Sequence, residues 1–315
     1  MTEFDLDSIE AVAKKDFRDA IRSRALLVLT TVFVVFFAAS AYFFADRIQK
    51  QLQQVANSSN VSQAEAAQQI QQGLTSDAFL TALTQVTRLL IPLTAIVVAY
   101  AALVGERESG TLKLLLALPH SRLDAVLGKF AGRSAVVTAP VLLGFLVAAP
   151  VFPILGVEFH AVNYLLFAAA TAFIGVVFVA LSVGVSAAAP TNRRSVVTVV
   201  GLYALFTLLW GQFTTAVVQQ VSQNTDIGNT ALAKLFLVVK HLNPVGTYQS
   251  LVASIGQAEL QARVSLIGGL QGRFIAQELG EVPIYLTDGA LVVYLLVWIV
   301  VPLVAGYYAF ERADL

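Results

Sequence analysis

Six long apolar runs, separated by polar stretches, dominate the pattern of hydrophobic and polar positions along the chain. A helix that crosses a bilayer needs about 20 mostly apolar residues, and the runs approach or exceed that length. The third run contains Pro140, Pro150 and Pro153, which predicts a bend or break near its outer end because proline interrupts helical hydrogen bonding. The pattern predicts an all-α polytopic membrane protein, one domain over residues 1–315 with spans at 25–45, 79–104, 135–155, 162–185, 196–218 and 290–310.

The distribution of basic residues predicts the orientation of these spans. With the N-terminus inside, the inner segments carry 13 Lys and Arg residues and the longer outer segments carry seven. Because basic residues accumulate on the cytoplasmic side of membrane proteins, both termini are expected in the cytoplasm. The external loops are then 46–78 and 219–289, and the expected location is the cell membrane.

Amphipathic patterns predict further helices outside the spans. Before the first span, apolar residues recur at helical spacing beside basic ones, which predicts a helix in the inner membrane interface that includes Phe17, Ile21, Arg22 and Arg24. A simple polar tail is the alternative. In the outer loops, Ser62 and Glu65 form a capping-box pattern, which predicts a helix there, and a solvated spacer is the alternative. Thr230 is expected to cap a short helix on the outer leaflet, and Asn243 with Pro244 to start the next one.

Composition limits the chemistry that the chain itself can perform. Hydrophobic residues make up 57% of the chain and charged residues 13%, against about 25% charged in soluble domains. The formal net charge of zero gives no reason to expect nucleic acid as a partner. With no Cys, one Met and three scattered His, no disulfide and no metal site are predicted. No catalytic residue is predicted either, because the spans lack paired carboxylates, a His cluster or an activated Ser.

A burst of charge between the second and third spans, over residues 105–133, interrupts the apolar pattern. Ser109 is expected to cap a short helix that ends before Pro119, with Leu112, Leu115 and Leu116 on one face. Ser121 and Asp124 form a second capping box, which starts the helix leading into the third span. Such an amphipathic element either docks into a groove on a partner or lies in the membrane interface, and the residues alone leave both open.

This segment, "GERESGTLKLLLALPHSRLDAVLGK", resembles the first cytoplasmic loop of the type-2 family of ABC transporter permeases. In that family, a Glu-Arg-Glu-x-Gly-Thr-Leu segment precedes leucines, a proline and a Gly-Lys pair. The C-terminal "FERADL" and the stretch "LNPVGTYQSL" resemble the family as well. The residues expected to couple to an ATPase subunit are Glu106, Arg107, Glu108, Gly110, Thr111, Leu112, Leu115, Leu116, Pro119 and Arg122.

The resemblance implies a permease subunit that pairs with a second permease copy or homologue. Two copies of an ABC nucleotide-binding subunit would dock on the pair through this loop, the coupling helix, and would bind the ATP and Mg. The phosphate-binding pattern Gly-x4-Gly-Lys-Ser/Thr is absent here, so this chain is expected to hold no cofactor and to be no enzyme. The expected activity is export of a hydrophobic or amphipathic substrate.

Two alternatives belong to other functional classes. A non-transporting membrane scaffold or sensor would also have six spans, but it gives no reason for the 105–133 element. An ion-coupled secondary transporter places ionisable groups within its spans. Arg88, Glu158 and His160 are expected near the outer boundary instead, which disfavours that reading.

Overall fold

The computed structural model describes residues 5–57, 75–112, 121–256, 279 and 283–313, and the regular secondary structure within these ranges is helical. Six helical runs there are long and apolar enough to cross a membrane, which confirms the prediction of an all-α polytopic membrane protein. The helices are α1 (Leu6–Ile21), α2 (Arg24–Asn57), α3 (Ser76–Ala99), α4 (Val104–Glu108), α5 (Arg122–Ala148), α6 (Val151–Ile154), α7 (Ala161–Ala188), α8 (Asn192–Ala204), α9 (Trp210–Asn224), α10 (Asn229–His241), α11 (Pro244–Gly256) and α12 (Asp288–Glu311).

Several of the spanning runs are interrupted. The third ends as α5 at Ala148 and resumes after Pro150 as α6, which confirms the predicted break near the C-terminal end of that run. The second turns between α3 and α4. The fifth contains a π-helical turn, Leu205–Leu209, between α8 and α9. Such turns insert an extra residue into a helix and are often found at functional sites.

Helix α7 forms the centre of the bundle, with α3, α5 and α12 packed around it. Small residues allow α7 and α12 to approach very closely. A Cβ atom added to Gly184 would lie 2.2 Å from Pro302 O, and one added to Gly306 would lie 2.4 Å from Gly184 O. Backbone contact of this kind is typical of glycines at helix crossings within membranes.

Helices α10 and α11 form a hairpin that turns back among the spans. The indole N–H of Trp298 donates to Leu242 O at the hairpin tip over 3.2 Å. Trp298 lies ten residues into α12, and ten residues of helix rise about 15 Å, so the tip reaches roughly half-way along that span. The phenol of Tyr248, fully buried on α11, lies within hydrogen-bonding distance of Thr87 and Thr171 on two other spans.

This hairpin corrects one expectation and confirms another. Helix α10 begins at Asn229 with Gly228 as its N-cap, rather than at Thr230, and it ends among the spans instead of lying on the outer leaflet. Its C-terminal end is fixed there by Asn243, whose Nδ2 donates to Phe206 O over 2.7 Å. Asn243 also caps α11 as predicted, because its Oδ1 accepts from the Val245 N–H at 2.8 Å. The predicted capping box at Ser62 and Glu65 lies outside the described residues.

Candidate functional site

The charged segment singled out by the sequence lies where the ends of several helices meet, at the end of the bundle that the basic residues predict to be the inner one. Residues 106–108 lie in the short helix α4, which ends at Glu108 with Ser109 as its C-cap, and Gly110 follows. Gly110 has a φ of +77°, a left-handed conformation that glycine adopts without strain. The next described part of the chain begins at Ser121. Its Oγ accepts from the Asp124 N–H at 3.0 Å, and the Asp124 carboxylate accepts from the Ser121 N–H at 2.9 Å. The predicted capping box at the start of α5 is therefore confirmed.

Four charged side chains form a network at this end, which we call the inner-end cluster: Asp16, Glu106, Lys129 and Arg133. Lys129 Nζ lies 2.8 Å from Asp16 Oδ1 and 2.6 Å from Glu106 Oε1. Arg133 Nε lies 2.8 Å from Asp16 Oδ2, and its Nη1 donates to Val98 O over 3.0 Å. The side chains of Asp16 and Lys129 are 5% and 6% exposed, so water screens their attraction weakly. The cluster joins α1, α4 and α5.

Close packing of α1 on α5 makes this network possible. The buried line of α1 consists of Ser8, Val12 and Asp16, one residue per helical turn. A Cβ atom on Gly128 would lie 2.6 Å from the Val12 Cβ, and one on Gly132 would lie 2.9 Å from the Asp16 Cβ. The two glycines of α5 therefore leave room for the α1 side chains.

The stripe of α1 predicted to lie in the membrane interface is not the line that α5 covers. Phe17 is half-buried, while Ile21, Arg22 and Arg24 are exposed. Ile21 is 49% exposed, which leaves its side chain available to lipid. The apolar periodicity of this segment does not indicate Asp16, because a buried carboxylate does not contribute to an apolar pattern. The signal that indicates this contact is the spacing of Gly128 and Gly132, since small residues four apart mark a close helix crossing.

The other two charged residues of α4 attach to different inner elements. Arg107 donates to Ala189 O at 2.9 Å and to Ala187 O at 3.1 Å, at the end of α7. Its guanidinium carbon also lies 5.4 Å from the ring centroid of Phe310 on α12. The Glu108 carboxylate accepts from the backbone N–H of Asn192, 2.8 Å away, and from its side-chain amide, at the start of α8. All three charged residues of α4 thus bond to other parts of this chain, and Glu108 is exposed as well.

The remaining predicted coupling residues have varied surroundings. Arg122 donates to Phe310 O at 2.6 Å and to Glu311 O at 2.8 Å, which ties the start of α5 to the end of α12. Leu112 is 1% exposed and belongs to the main core. Thr111 is exposed, with its hydroxyl 2.8 Å from that of Ser109. Predicted residues outside the described part of the chain are Leu115, Leu116 and Pro119.

A cavity of about 600 Å³ opens beside the inner-end cluster, between α1, α2, α3 and α5. One part of its lining is apolar, from Leu26, Leu29, Leu93, Val97 and Val136, and the other is charged, from the inner-end cluster and Asp19. A cavity with one apolar and one charged side suits an amphipathic molecule. Within the described ranges, no group of three His, Asp or Glu side chains is placed to hold a metal ion.

Helical spans tied together at one end by a charged segment define a multi-pass membrane protein. The sequence profile described as "ABC-2 family transporter protein" matches residues 10–315, and the chain belongs to this family. It is therefore a membrane subunit of an ABC transporter, a class of subunit that works with an ATP-binding partner.

Two relatives carry the name "Probable ABC transporter permease protein NosY". The protein from Stutzerimonas stutzeri is 28% identical over 314 residues, which cover 98% of this chain and 99% of the relative. The protein from Pseudomonas aeruginosa is 32% identical over 204 residues, 63% of this chain. That match spans 66% of the relative's length, just under two thirds.

Proposed function

We propose that this subunit transmits the work of a separate ATP-binding partner to its spans through residues 105–133, and that it exports an amphipathic compound. The observation that carries the proposal is the attachment of α4. Its three consecutive charged side chains reach α5, the end of α7 and the start of α8. Lys129 on α5 also pairs with Asp16, which joins α1 to the same segment. A push on this segment would act on several spans at once.

The proposal separates two roles that the sequence assigned to one set of residues. Because Glu106, Arg107 and Glu108 face this chain, they are positioning residues that hold the segment to the spans. Contact with the partner falls to the exposed tip at Thr111 and to the chain that follows it. In the complete transporter, two ATP-binding subunits would bind the ATP and Mg, and a second permease copy or homologue would complete the membrane part.

The direction of transport is inferred from the 600 Å³ cavity. It lies next to the attached segment, at the end of the spans that the basic residues assign to the cytoplasm. An amphipathic molecule in the inner leaflet would place its apolar part against Leu93 and Val97 and its polar part against the inner-end cluster. A cavity that takes up its substrate from the inner leaflet is what an exporter needs, because export begins on the cytoplasmic side.

The orientation can be tested directly because the chain contains no cysteine. Ser109→Cys places one thiol at the exposed tip beside α4, and Thr225→Cys places one after α9 at the opposite end of the fifth span. A membrane-impermeant maleimide applied to intact cells should label Thr225→Cys, and should label Ser109→Cys only after permeabilisation. Labelling of Ser109→Cys from outside would overturn the orientation and the coupling role together.

The coupling role is tested with the ATP-binding subunit co-expressed. A fluorophore on Thr225→Cys should respond to ATP in the assembled transporter. Glu106→Gln should leave co-purification of the partner unchanged but reduce this response, because α4 loses its charge pair with Lys129. Thr111→Arg should instead reduce co-purification. The matched control is Glu10→Gln, which removes a carboxylate from an exposed pair with Lys14. Loss of co-purification in Glu106→Gln would contradict the division of roles.

A further inference from the structure

A second cavity, of about 280 Å³, lies away from the inner-end cluster, between α3, the fifth span and the re-entrant hairpin. Two basic side chains line it: Arg88 on α3 and Lys240 near the end of α10. Arg88 lies twelve residues after Ser76, about 18 Å along the helix, and therefore deeper than the outer boundary expected from the sequence. An ionisable residue at such a depth is by default a hypothesis for a functional site.

Neither cation has a counter-charge in the cavity. The described lining residues include no Asp or Glu. The Nε of Arg88 is buried without a hydrogen-bond partner in the described part of the chain. Lys240 Nζ lies 5.5 Å from the ring centroid of Phe236, a weak substitute for a carboxylate. Two unneutralised cations in one partly buried cavity are costly unless an anion joins them.

Other parts of the lining also favour an anion. The π-helical turn Leu205–Leu209 contributes to the wall, and such turns are often found at functional sites. The first turn of α11 contributes Val245 and Gly246, and the N-terminal end of a helix attracts negative charge. Gln249 adds a side-chain amide that can donate hydrogen bonds.

We propose that this cavity binds an oxyanion group, a phosphate, sulfate or carboxylate, between Arg88 and Lys240. The volume admits one such group and is smaller than most sites for complete drug-sized ligands. The group belongs either to a lipid headgroup or to a small solute that reaches the outer half of the spans. The site stands apart from the inner-end cluster and does not depend on the proposed coupling role.

The test uses the full-length protein purified in a non-ionic detergent. Its melting temperature is measured against increasing sodium phosphate and sodium sulfate at constant ionic strength, and again with phosphatidylglycerol or phosphatidylcholine added. We expect saturable stabilisation of the wild type by at least one anionic probe. Lys240→Gln should weaken that binding about tenfold to a hundredfold, since a hydrogen bond to a charged group contributes that much. Lys234→Gln, an exposed lysine on the same helix, should behave as wild type.

The probes distinguish the two sources of the oxyanion. Saturation by phosphate or sulfate indicates a free solute, and stabilisation by phosphatidylglycerol alone indicates a headgroup. The proposal is overturned if no anionic probe stabilises the wild type, or if Lys240→Gln responds as the wild type does. Arg88→Gln provides a second, independent variant. If it does not fold, the comparison of Lys240→Gln with Lys234→Gln still decides the question.

Discussion

Replacing Lys129 by Met tests whether the inner-end cluster holds α1 and α4 to the rest of the fold. Lys129 lies between the carboxylates of Asp16, at 2.8 Å, and Glu106, at 2.6 Å, and is 6% exposed. Methionine keeps a flexible stem of similar shape but carries no charge. The substitution leaves Glu106 without its cation, and leaves Asp16 with Arg133 alone.

The expected loss of stability follows from burial and from the contacts that remain. Removing one partner of a buried ion pair costs about 3–5 kcal/mol, because the other charge stays buried and uncompensated. Glu106 is 22% exposed, so water compensates part of its charge, and Asp16 keeps the Arg133 Nε at 2.8 Å. We therefore expect the lower end of that range, about 3 kcal/mol. At about 2 °C per kcal/mol, this is a fall of about 6 °C in melting temperature.

The assay follows the fluorescence of the two tryptophans, Trp210 and Trp298, during heating in detergent. The scan rate is kept fixed because unfolding of such proteins is commonly irreversible. Lys14→Met is the matched control, since Lys14 pairs with Glu10 but is 61% exposed, and it should lower the melting temperature by about 1 °C or less. Adding Glu106→Gln to Lys129→Met should restore part of the loss by removing the uncompensated carboxylate. If Lys129→Met melts within about 1 °C of the wild type, the cluster does not hold the inner end together.

Two further predictions concern other regions. Hydrogen bonds to Asp77 and, to a lesser extent, Glu158 raise the pKa of His160. A raised folded-state pKa stabilises the fold fully below the unfolded value of about 6.5, and this stabilisation is lost as the pH rises through the folded value. From about pH 6.5 upward the melting temperature of the wild type should therefore fall more than that of His160→Gln. If the two melting temperatures change with pH in parallel, the protonation of His160 does not stabilise the fold. Gly184→Leu should abolish the monodisperse elution peak, because its Cβ would lie 2.2 Å from Pro302 O, whereas Gly201→Leu, with nothing within 4 Å of the added Cβ, should keep it. Normal elution of Gly184→Leu would show that α7 and α12 can separate.

The spans could be predicted from the sequence because each is long enough for apolar length alone to identify it. The re-entrant hairpin could not, since α10 has only 13 residues and an apolar face that suits an interface equally well. Its depth depends on tertiary contacts such as Trp298 with Leu242 and Asn243 with Phe206, which join distant parts of the chain. No local pattern contains that information.

The inner-end site was predictable only in part, for a related reason. The charge of Glu106 and Arg107 stands out because it interrupts an apolar pattern. The residues that complete the cluster do not stand out in the same way. Asp16 and Lys129 are 113 residues apart in the chain, so no local pattern pairs them. The sequence therefore indicates a charged segment between two spans, but not that its charged side chains bind this chain itself. That difference changes their expected role from contacting a partner to positioning the segment.

The way α4 is attached also determines which span should move first. The turn before α4 is fixed to its neighbours, because Ser186 Oγ accepts from the N–H groups of Leu103 and Val104 at 3.1 Å. Helix α3 is held separately by Tyr248 of the hairpin. A displacement of α4 would therefore reach α8 through Glu108 more directly than it would reach α3, and α8 continues through the π-helical turn into α9.

This route predicts the effect of Glu108→Gln. The change weakens the contact of α4 with Asn192 and leaves the exposed tip at Thr111 intact. The ATP-binding partner should still co-purify, while the response of a label on Thr225→Cys, which directly follows α9, should fall. Because the Glu106 contact with α5 is untouched, the loss should be specific to the fifth span. A label response that survives Glu108→Gln but not Glu106→Gln would place the route through α5 instead.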